Sequence, residues 1–248
     1  MKNLFNAYFS RMLRQKFLLA GIVLAFAITY WFTSNGSGLN ILHRINSDFD
    51  FSLAAALGIP AFMSLFTPLF LSAEYKGGTI RNKLICGKSR GEIYFATLLS
   101  VTAAMLLMTA AWAAGALLGA GTLPAAGVIA WTIAKMILYN IAYLTILVFI
   151  SLNVTNEAAV TAIEFMSFQF SFFAVLMLQM VMGMTGDGAC KVIAMMINLI
   201  PVGQWLSLSP LADESIQLSS SVQLILSAVL ITAMIVYGMT VFRKKDIK

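Results

Sequence analysis

AAGVIAWTIAKMILYNIAYLTILVFIS, residues 125–151, is an apolar stretch that contains a single charged side chain, Lys135. A helix that crosses the hydrocarbon core of a bilayer, about 30 Å thick, needs about 20 predominantly apolar residues. The stretch is long enough and apolar enough to meet this requirement. It therefore predicts a membrane-spanning helix, and it sets the class of fold in which the rest of the chain has to be understood.

The composition of the whole chain supports the same class. Hydrophobic residues make up 60% of the sequence and charged residues only 10%, against roughly 25% charged residues in an ordinary soluble domain. A soluble domain of this size could not bury that much apolar surface, so we expect an integral membrane protein. The basic N-terminus runs into an apolar stretch with no A-x-A-like cleavage site after it, which predicts that the first apolar segment is retained.

The sequence contains several candidate membrane spans. Six stretches have the length and composition of a span: Phe17–Thr33, Phe51–Ser72, Ile93–Gly119, Ala125–Ser151, Ala158–Met184 and Val222–Val241. Pro60 and Pro68 predict a kink in the second stretch. In the third, the four-residue spacing of Ala111, Gly115 and Gly119 predicts a face that another helix can approach closely.

Two further segments flank these spans. Residues 1–16 predict an interfacial helix whose basic side faces anionic headgroups. Its apolar face consists of Phe5, Tyr8, Phe9, Met12 and Leu13, and its polar face consists of Asn6, Ser10, Arg11 and Arg14. Residues 185–221 predict an extracellular re-entrant or surface hairpin, because the apolar core Val192–Ile200 is too short to cross and prolines follow it. The predicted fold is a single all-α membrane domain over residues 1–248.

The distribution of Lys and Arg predicts the orientation. Thirteen basic residues fall on one side: Lys2, Arg11, Arg14, Lys16, Lys76, Arg81, Lys83, Lys88, Arg90, Arg243, Lys244, Lys245 and Lys248. Only Arg44 and Lys191 fall on the other. We therefore expect both termini and residues 73–92 in the cytoplasm. Cys86 and Cys190 would then lie on opposite faces, which precludes a disulfide between them.

Two motifs suggest chemistry at first sight. Gly87-Lys88-Ser89 matches the last three residues of a phosphate-binding P-loop, but Asn82 stands where the motif needs its first glycine and no strand precedes it. The only histidine, His43, has no Cys or carboxylate cluster beside it in sequence, so we expect no zinc site. The chain itself is expected to bind no nucleotide, cofactor or metal and to have no enzymatic activity.

The segment LSAEYKGGTIRNKLICGKSRGEIYFATLL, residues 71–99, resembles the permeases of the ABC-2 transporter family. That family joins its second and third spans by E-x-x-x-G-T-hydrophobic, with an Arg shortly before the next span. The matching residues here are Glu74, Gly78, Thr79, Ile80 and Arg90. The resemblance extends to the six spans, the N-terminal helix and the hairpin, although many relatives have proline where this chain has Gly87.

The resemblance implies a function. Residues 73–92, with Arg81 and the matched residues, would form a cytoplasmic coupling segment that a separate ATPase moves, with ATP and magnesium bound to that ATPase. A second permease, identical or paralogous, would complete the pathway, with the small-residue face of the third span as a packing surface. The complex would lie in the plasma membrane among lipids, bind no nucleic acid, and export a hydrophobic or amphipathic substrate such as an antimicrobial or other peptide.

Three charged residues carry further expectations. Glu74 lies close in sequence to Lys76 and Arg81, so we expect exposed ion pairs there, contributing about 0–1 kcal/mol. Lys135 and Glu164 lie within the predicted spans at depths that differ by roughly 6 Å, so their side chains could meet. They would form either a substrate-path or gating contact or a structural ion pair. An ion-coupled secondary transporter or channel that uses these two charges is the alternative function.

Overall fold

The computed structural model describes residues 2–35, 47–210 and 216–245, and within these ranges the chain contains helices and no strand. The predicted position of His43 lies outside the described residues. The helices are α1 (Lys2–Leu13), α2 (Lys16–Ser34), α3 (Asp48–Ala55), α4 (Gly58–Lys76), α5 (Thr79–Ile85), α6 (Arg90–Gly119), α7 (Ala126–Asn153), α8 (Glu157–Met182), α9 (Asp187–Leu199), α10 (Pro201–Leu208) and α11 (Ser220–Lys244).

Six helical units are long and apolar enough to cross a membrane: α2, α3 with α4, α6, α7, α8 and α11. They coincide with the six predicted stretches to within a few residues at most ends, which confirms the predicted fold class. Several helices exceed the bilayer core. The 30 residues of α6 and the 28 of α7 span about 45 and 42 Å at 1.5 Å per residue, against a core of about 30 Å.

The second span is interrupted between α3 and α4 at Ala56 and Leu57. Proline has no backbone N–H, so Pro60 cannot donate to the carbonyl of Ala56. The N–H of Ile59 donates to that oxygen instead, at 3.0 Å. The interruption therefore lies one turn before Pro60, whereas α4 continues through Pro68.

The small-residue face of α6 packs against α2 of the same chain. A Cβ added to Gly115 would lie 2.6 Å from the backbone oxygen of Phe26, and one added to Gly119 would lie 2.9 Å from that of Tyr30. The prediction that a helix approaches this face closely is confirmed. The expectation that the face packs against a second permease is wrong, because α2 already occupies it.

The segment before the last span is a sharply bent pair, with an angle of 110° between α9 and α10. All residues from Pro201 to Ser207 are buried, and a Cβ on Gly203 would overlap the carbonyl of Ile197. The pair is therefore inserted among α7, α8 and α11 as a re-entrant hairpin. Residues 211–215 of the predicted hairpin lie outside the described ranges.

Buried hydrogen bonds hold this hairpin in place. Gln223 of α11 accepts from the Tyr139 hydroxyl at 2.8 Å and donates to Asn198 Oδ1 at 2.8 Å and Ser207 Oγ at 2.9 Å. Because buried polar groups need partners, this network ties α9 and α10 to α7 and α11. Its members are dispersed along 85 residues of sequence, and no spacing pattern indicated them.

Both ends of the described chain lie at the same end of the helix bundle, which we call the basic end. It contains α1, α5, the start of α6 and the end of α11, joined by the contacts of Arg11, Lys83, Arg90 and Lys245. The bent pair α9–α10 follows α8 at the opposite end.

Candidate functional site

The candidate site is centred on α5, a helix of seven residues between two glycines. Gly78 precedes it with φ +62°, and Gly87 follows it with φ +80°, a left-handed backbone that glycine adopts without a steric penalty. The N–H of Gly87 donates to Leu84 at 3.0 Å, and that of Lys88 to Lys83 at 3.1 Å, which is the Schellman pattern of a helix C-terminus. The predicted short helix between two breaks is confirmed.

The same geometry explains Gly87-Lys88-Ser89. Gly87 ends α5, and Ser89 is the N-cap of α6. The Ser89 hydroxyl accepts from the N–H of Glu92 at 3.1 Å, while the Glu92 carboxylate accepts from the N–H of Ser89 at 3.0 Å. This is a capping box. The segment that precedes the motif is helix α5, where a P-loop requires a strand.

Glu74, near the end of α4, is buried, with only 1% of its surface exposed. Its carboxylate lies 2.5 Å from the guanidinium of Arg11 on α1 and 2.7 Å from the ammonium of Lys83 on α5. The predicted exposed pairs with Lys76 and Arg81 are therefore wrong. Lys76 pairs with Glu157 of α8 instead.

Helix geometry accounts for the choice of Lys83 over Arg81. Residues three apart share a helix face, and residues two apart do not. Ile80 is buried with 1% exposure, so Lys83 lies on the same inward face of α5, and Arg81 points outward and is exposed. The sequence predicts Arg11 on the side of the first helix that faces the headgroups. In the structure it contacts Glu74 instead, because α1 packs onto the bundle.

Two further contacts complete the cluster around Glu74. The Thr79 hydroxyl lies 2.7 Å from the Glu74 backbone oxygen and 2.6 Å from its carboxylate, so its single proton can serve either oxygen. The ammonium of Lys83 lies 3.4 Å from the ring centroid of Tyr8, a cation–π contact. Through one carboxylate, α5 is held against both α1 and α4.

Arg90, the last residue of the predicted motif, contacts a different element. Its Nη1 donates to the carbonyls of Phe242 at 3.1 Å and Arg243 at 2.8 Å, and also to that of Lys245. A cation at a helix C-terminus satisfies carbonyls that have no partner within the helix and opposes the negative end of the dipole. Arg90 therefore joins the start of α6 to the end of α11.

Lys245 extends this connection to two more helices. Its ammonium donates to the backbone oxygen of Leu152 at 2.8 Å and lies 3.3 Å from the Tyr75 hydroxyl. Burial lowers the pKa of Lys245, because it disfavours the charged form. No sequence pattern predicts this contact, since the partners of Lys245 are 93 and 170 residues away along the chain.

A groove of about 390 Å³ lies between α1 and α5 on the same surface. Its lining residues are Asn3, Leu4, Ala7, Thr79, Asn82, Lys83, Cys86 and Lys88. It thus combines apolar side chains with two lysines. Its walls are the two helices that Glu74 joins.

Lys135 and Glu164, predicted to approach each other, do not form an ion pair. Glu164 contacts Ser151 near the end of α7, and sixteen residues, about 24 Å of helix, separate Ser151 from Lys135. The depths expected from the sequence count residues from the nearer end of each span and assume that the span matches a core about 30 Å thick. Helix α7 is about 42 Å long, so these depths do not place the two residues at the same level. The half-buried Lys135 has no carboxylate within 4 Å among the described residues.

The site brings Glu74, Thr79 and Ile80 together and leaves Arg81 at its surface, whereas Arg90 lies at a neighbouring helix junction. In the described ranges no group of three His, Cys, Asp or Glu side chains is arranged to hold a metal ion. Comparisons with known protein families and with curated proteins give no match to this chain. The function is therefore inferred from the geometry of the site and of the membrane helices.

Proposed function

We propose that this chain is the membrane subunit of an ATP-driven exporter, and that a separate ATPase docks on α5 and the neighbouring part of α1. The observation that carries the proposal is the structure of α5. It is a short helix with a left-handed glycine at each end, joined by the buried carboxylate of Glu74 to two other helices. A helix of this kind can transmit a push as a rigid unit, because its hinges are confined to the glycines.

The surface of α5 supports a partner of acidic character. Arg81 is exposed, and Lys83 and Lys88 line the groove beside α1. Basic groups around an apolar groove favour a protein surface with complementary charge and an apolar contact. ATP and magnesium would bind to that partner and not to this chain.

The contacts of the site suggest how a movement of α5 would reach the membrane helices. Glu74 and Thr79 connect α5 to the end of α4, and Arg11 connects the same carboxylate to α1, which packs against α6. Displacement of α5 would therefore pull on α4 and α6 together. The exported substrate would be hydrophobic or amphipathic, such as a peptide.

The proposal includes the plasma membrane, cytoplasmic termini and a second permease, identical or paralogous. Cys86 is exposed beside α5, and Cys190 is half-buried on α9. A membrane-impermeant thiol reagent should label Cys190 in intact cells and Cys86 only after permeabilisation, and the reverse result would invert the orientation. Since α2 covers the small-residue face of α6, a second permease would contact another helix, and α8 and α11 are the least buried.

An ion-coupled transporter that uses Lys135 and Glu164 as a pair is less well supported, because these residues lie at different levels of the bundle. Transport by vesicles that contain this chain alone, driven by an ion gradient without ATPase, would favour that alternative over the exporter.

The direct test is co-purification with a soluble P-loop ATPase from the same organism, sought first in the reading frames that neighbour this one, followed by ATP hydrolysis and transport assays in vesicles. Arg81→Glu should weaken capture of the ATPase, whereas Lys191→Glu, on an exposed residue of α9, should not. Gly78→Pro should retain capture and hydrolysis but lose transport, because proline cannot adopt the positive φ of the hinge. Equal capture and transport by all three variants would refute the proposal.

A further inference from the structure

Glu164 is a buried acid without a cationic partner. None of its surface is exposed. One carboxyl oxygen lies 2.5 Å from the Ser151 hydroxyl of α7, and the other has no hydrogen-bond partner. No Lys, Arg or His of the described ranges lies within 4 Å of it.

An ionised carboxylate is poorly tolerated in these surroundings. A buried charge needs an opposite charge or several hydrogen bonds to compensate for lost hydration, and inside a membrane the cost is greater because no water replaces the missing partners. One hydroxyl does not provide that compensation. A protonated carboxyl group, by contrast, has no net charge and both donates and accepts hydrogen bonds.

The groups that face Glu164 do not supply a counter-charge. Tyr143 of α7 interacts with it electrostatically, but a tyrosine hydroxyl carries no positive charge. On α4 the nearest basic residue along the helix, Lys76, pairs with Glu157 at the basic end. Helix α10 carries no charged residue, and Lys191 of α9 lies at the far end of α8.

The face of α8 next to Glu164 borders a groove, although Glu164 itself does not line it. A groove of about 760 Å³ runs between α4 and α8 and is lined by Thr161, Ala162 and Phe165, which surround Glu164 in the sequence of α8. It reaches Lys76 and Glu157 at its polar end. The Thr161 side chain lines the groove, and its hydroxyl is buried without a hydrogen bond to Glu164 or to another described residue.

We propose that Glu164 is a proton-binding site within the membrane domain, and that it is neutral in this conformation, where it is buried between α7 and α8. Separation of α8 from α7 would remove the Ser151 contact and admit water, so the carboxyl group would release its proton there. A movement of these helices thereby includes binding or release of one proton. The inference is independent of the proposed exporter function, since it depends only on Glu164 and its surroundings.

Infrared spectroscopy of the full chain in lipid vesicles tests this directly. At neutral pH the wild-type protein should show the carbonyl band of a protonated carboxylic acid, with a shift in D₂O. Glu164→Gln should abolish that band. Glu157→Gln, which changes the half-buried glutamate at the start of the same helix, should leave it unchanged. If the spectrum of Glu164→Gln differs from that of the wild-type protein only by the loss of carboxylate bands, the proposal is overturned.

Two further measurements keep the test decisive if Glu164→Gln folds poorly. Ser151→Ala should move the same carbonyl band to higher frequency, because the carboxyl group loses its hydrogen bond. The Tm of the wild-type protein should be the same in a sodium salt, in a potassium salt and in the salt of a bulky organic cation. A rise in the wild-type Tm with sodium or potassium that is lost in Ser151→Ala would identify a metal-cation site and contradict the proton site.

Discussion

Two glutamates, Glu74 and Glu164, are buried to the same degree and yet have opposite surroundings. Glu74 is 1% exposed and Glu164 is 0% exposed. Glu74 contacts a guanidinium, an ammonium and a hydroxyl, and Glu164 contacts one hydroxyl. The first lies where α1, α4 and α5 meet at the basic end, and the second lies between α7 and α8.

The comparison shows that burial alone does not decide what a carboxyl group does. Between two cations, the Glu74 carboxylate holds three helices together, so its effect is mechanical. Without a cation, Glu164 is compatible with the bundle as a neutral acid, so its state depends on whether α7 and α8 stay together. The same side chain therefore acts as a fixed connection in one region and as a titratable group in the other.

The largest expected effect is that of Glu74→Ala. Loss of the carboxylate leaves Lys83 and Arg11 close together without a counter-charge, and removal of one partner from a buried ion pair costs about 3–5 kcal/mol. Since the Arg11 side chain is 52% exposed and can be rehydrated, we expect a value near the lower limit. Unfolding in mixed detergent micelles measures it. A loss of under about 1 kcal/mol would mean that Glu74 behaves as an exposed residue.

An intermediate effect is expected for Lys83→Met. The substitution removes the cation that is 18% exposed and its contact with the Tyr8 ring, while Arg11 still pairs with Glu74, so we expect a loss of about 1–2 kcal/mol. Arg81→Met is the matched control on the same helix and should change stability by less than about 0.5 kcal/mol. If Arg81→Met had the larger effect, the pairing expected from sequence proximity would be correct.

The smallest expected effect is that of Ser151→Ala, about 1 kcal/mol, the usual net contribution of one hydrogen bond. A neutral Glu164 would lose one hydrogen bond, whereas an ionised Glu164 would be left as a buried charge without a partner and would destabilise the protein far more. Ser167→Ala is the control, because its hydroxyl donates to the backbone oxygen of Glu164 and not to the carboxyl group. A loss above about 3 kcal/mol for Ser151→Ala alone would indicate an ionised carboxylate.

Parts of the site could be predicted because they depend on neighbouring residues. The two ends of α5 follow from Gly78 and Gly87, since left-handed backbone and helix capping are local properties. The partners of Glu74 could not be predicted. Arg11 is 63 residues away along the chain, and the nearer candidates Lys76 and Arg81 point elsewhere once α4 and α5 have formed.

Hydrophobic length and glycine conformation act within a single segment, so the amino-acid sequence is enough to predict the membrane class, the six spans and the breaks around α5. Which charges meet depends on the tertiary packing. That packing places α2 against Gly115 and Gly119, inserts α9–α10 among the spans, and leaves sixteen residues of α7 between Lys135 and Ser151, the contact of Glu164. The physical reason is that a side chain's partners depend on how whole helices pack and tilt, and those long-range contacts are not encoded in the spacing of residues along one helix.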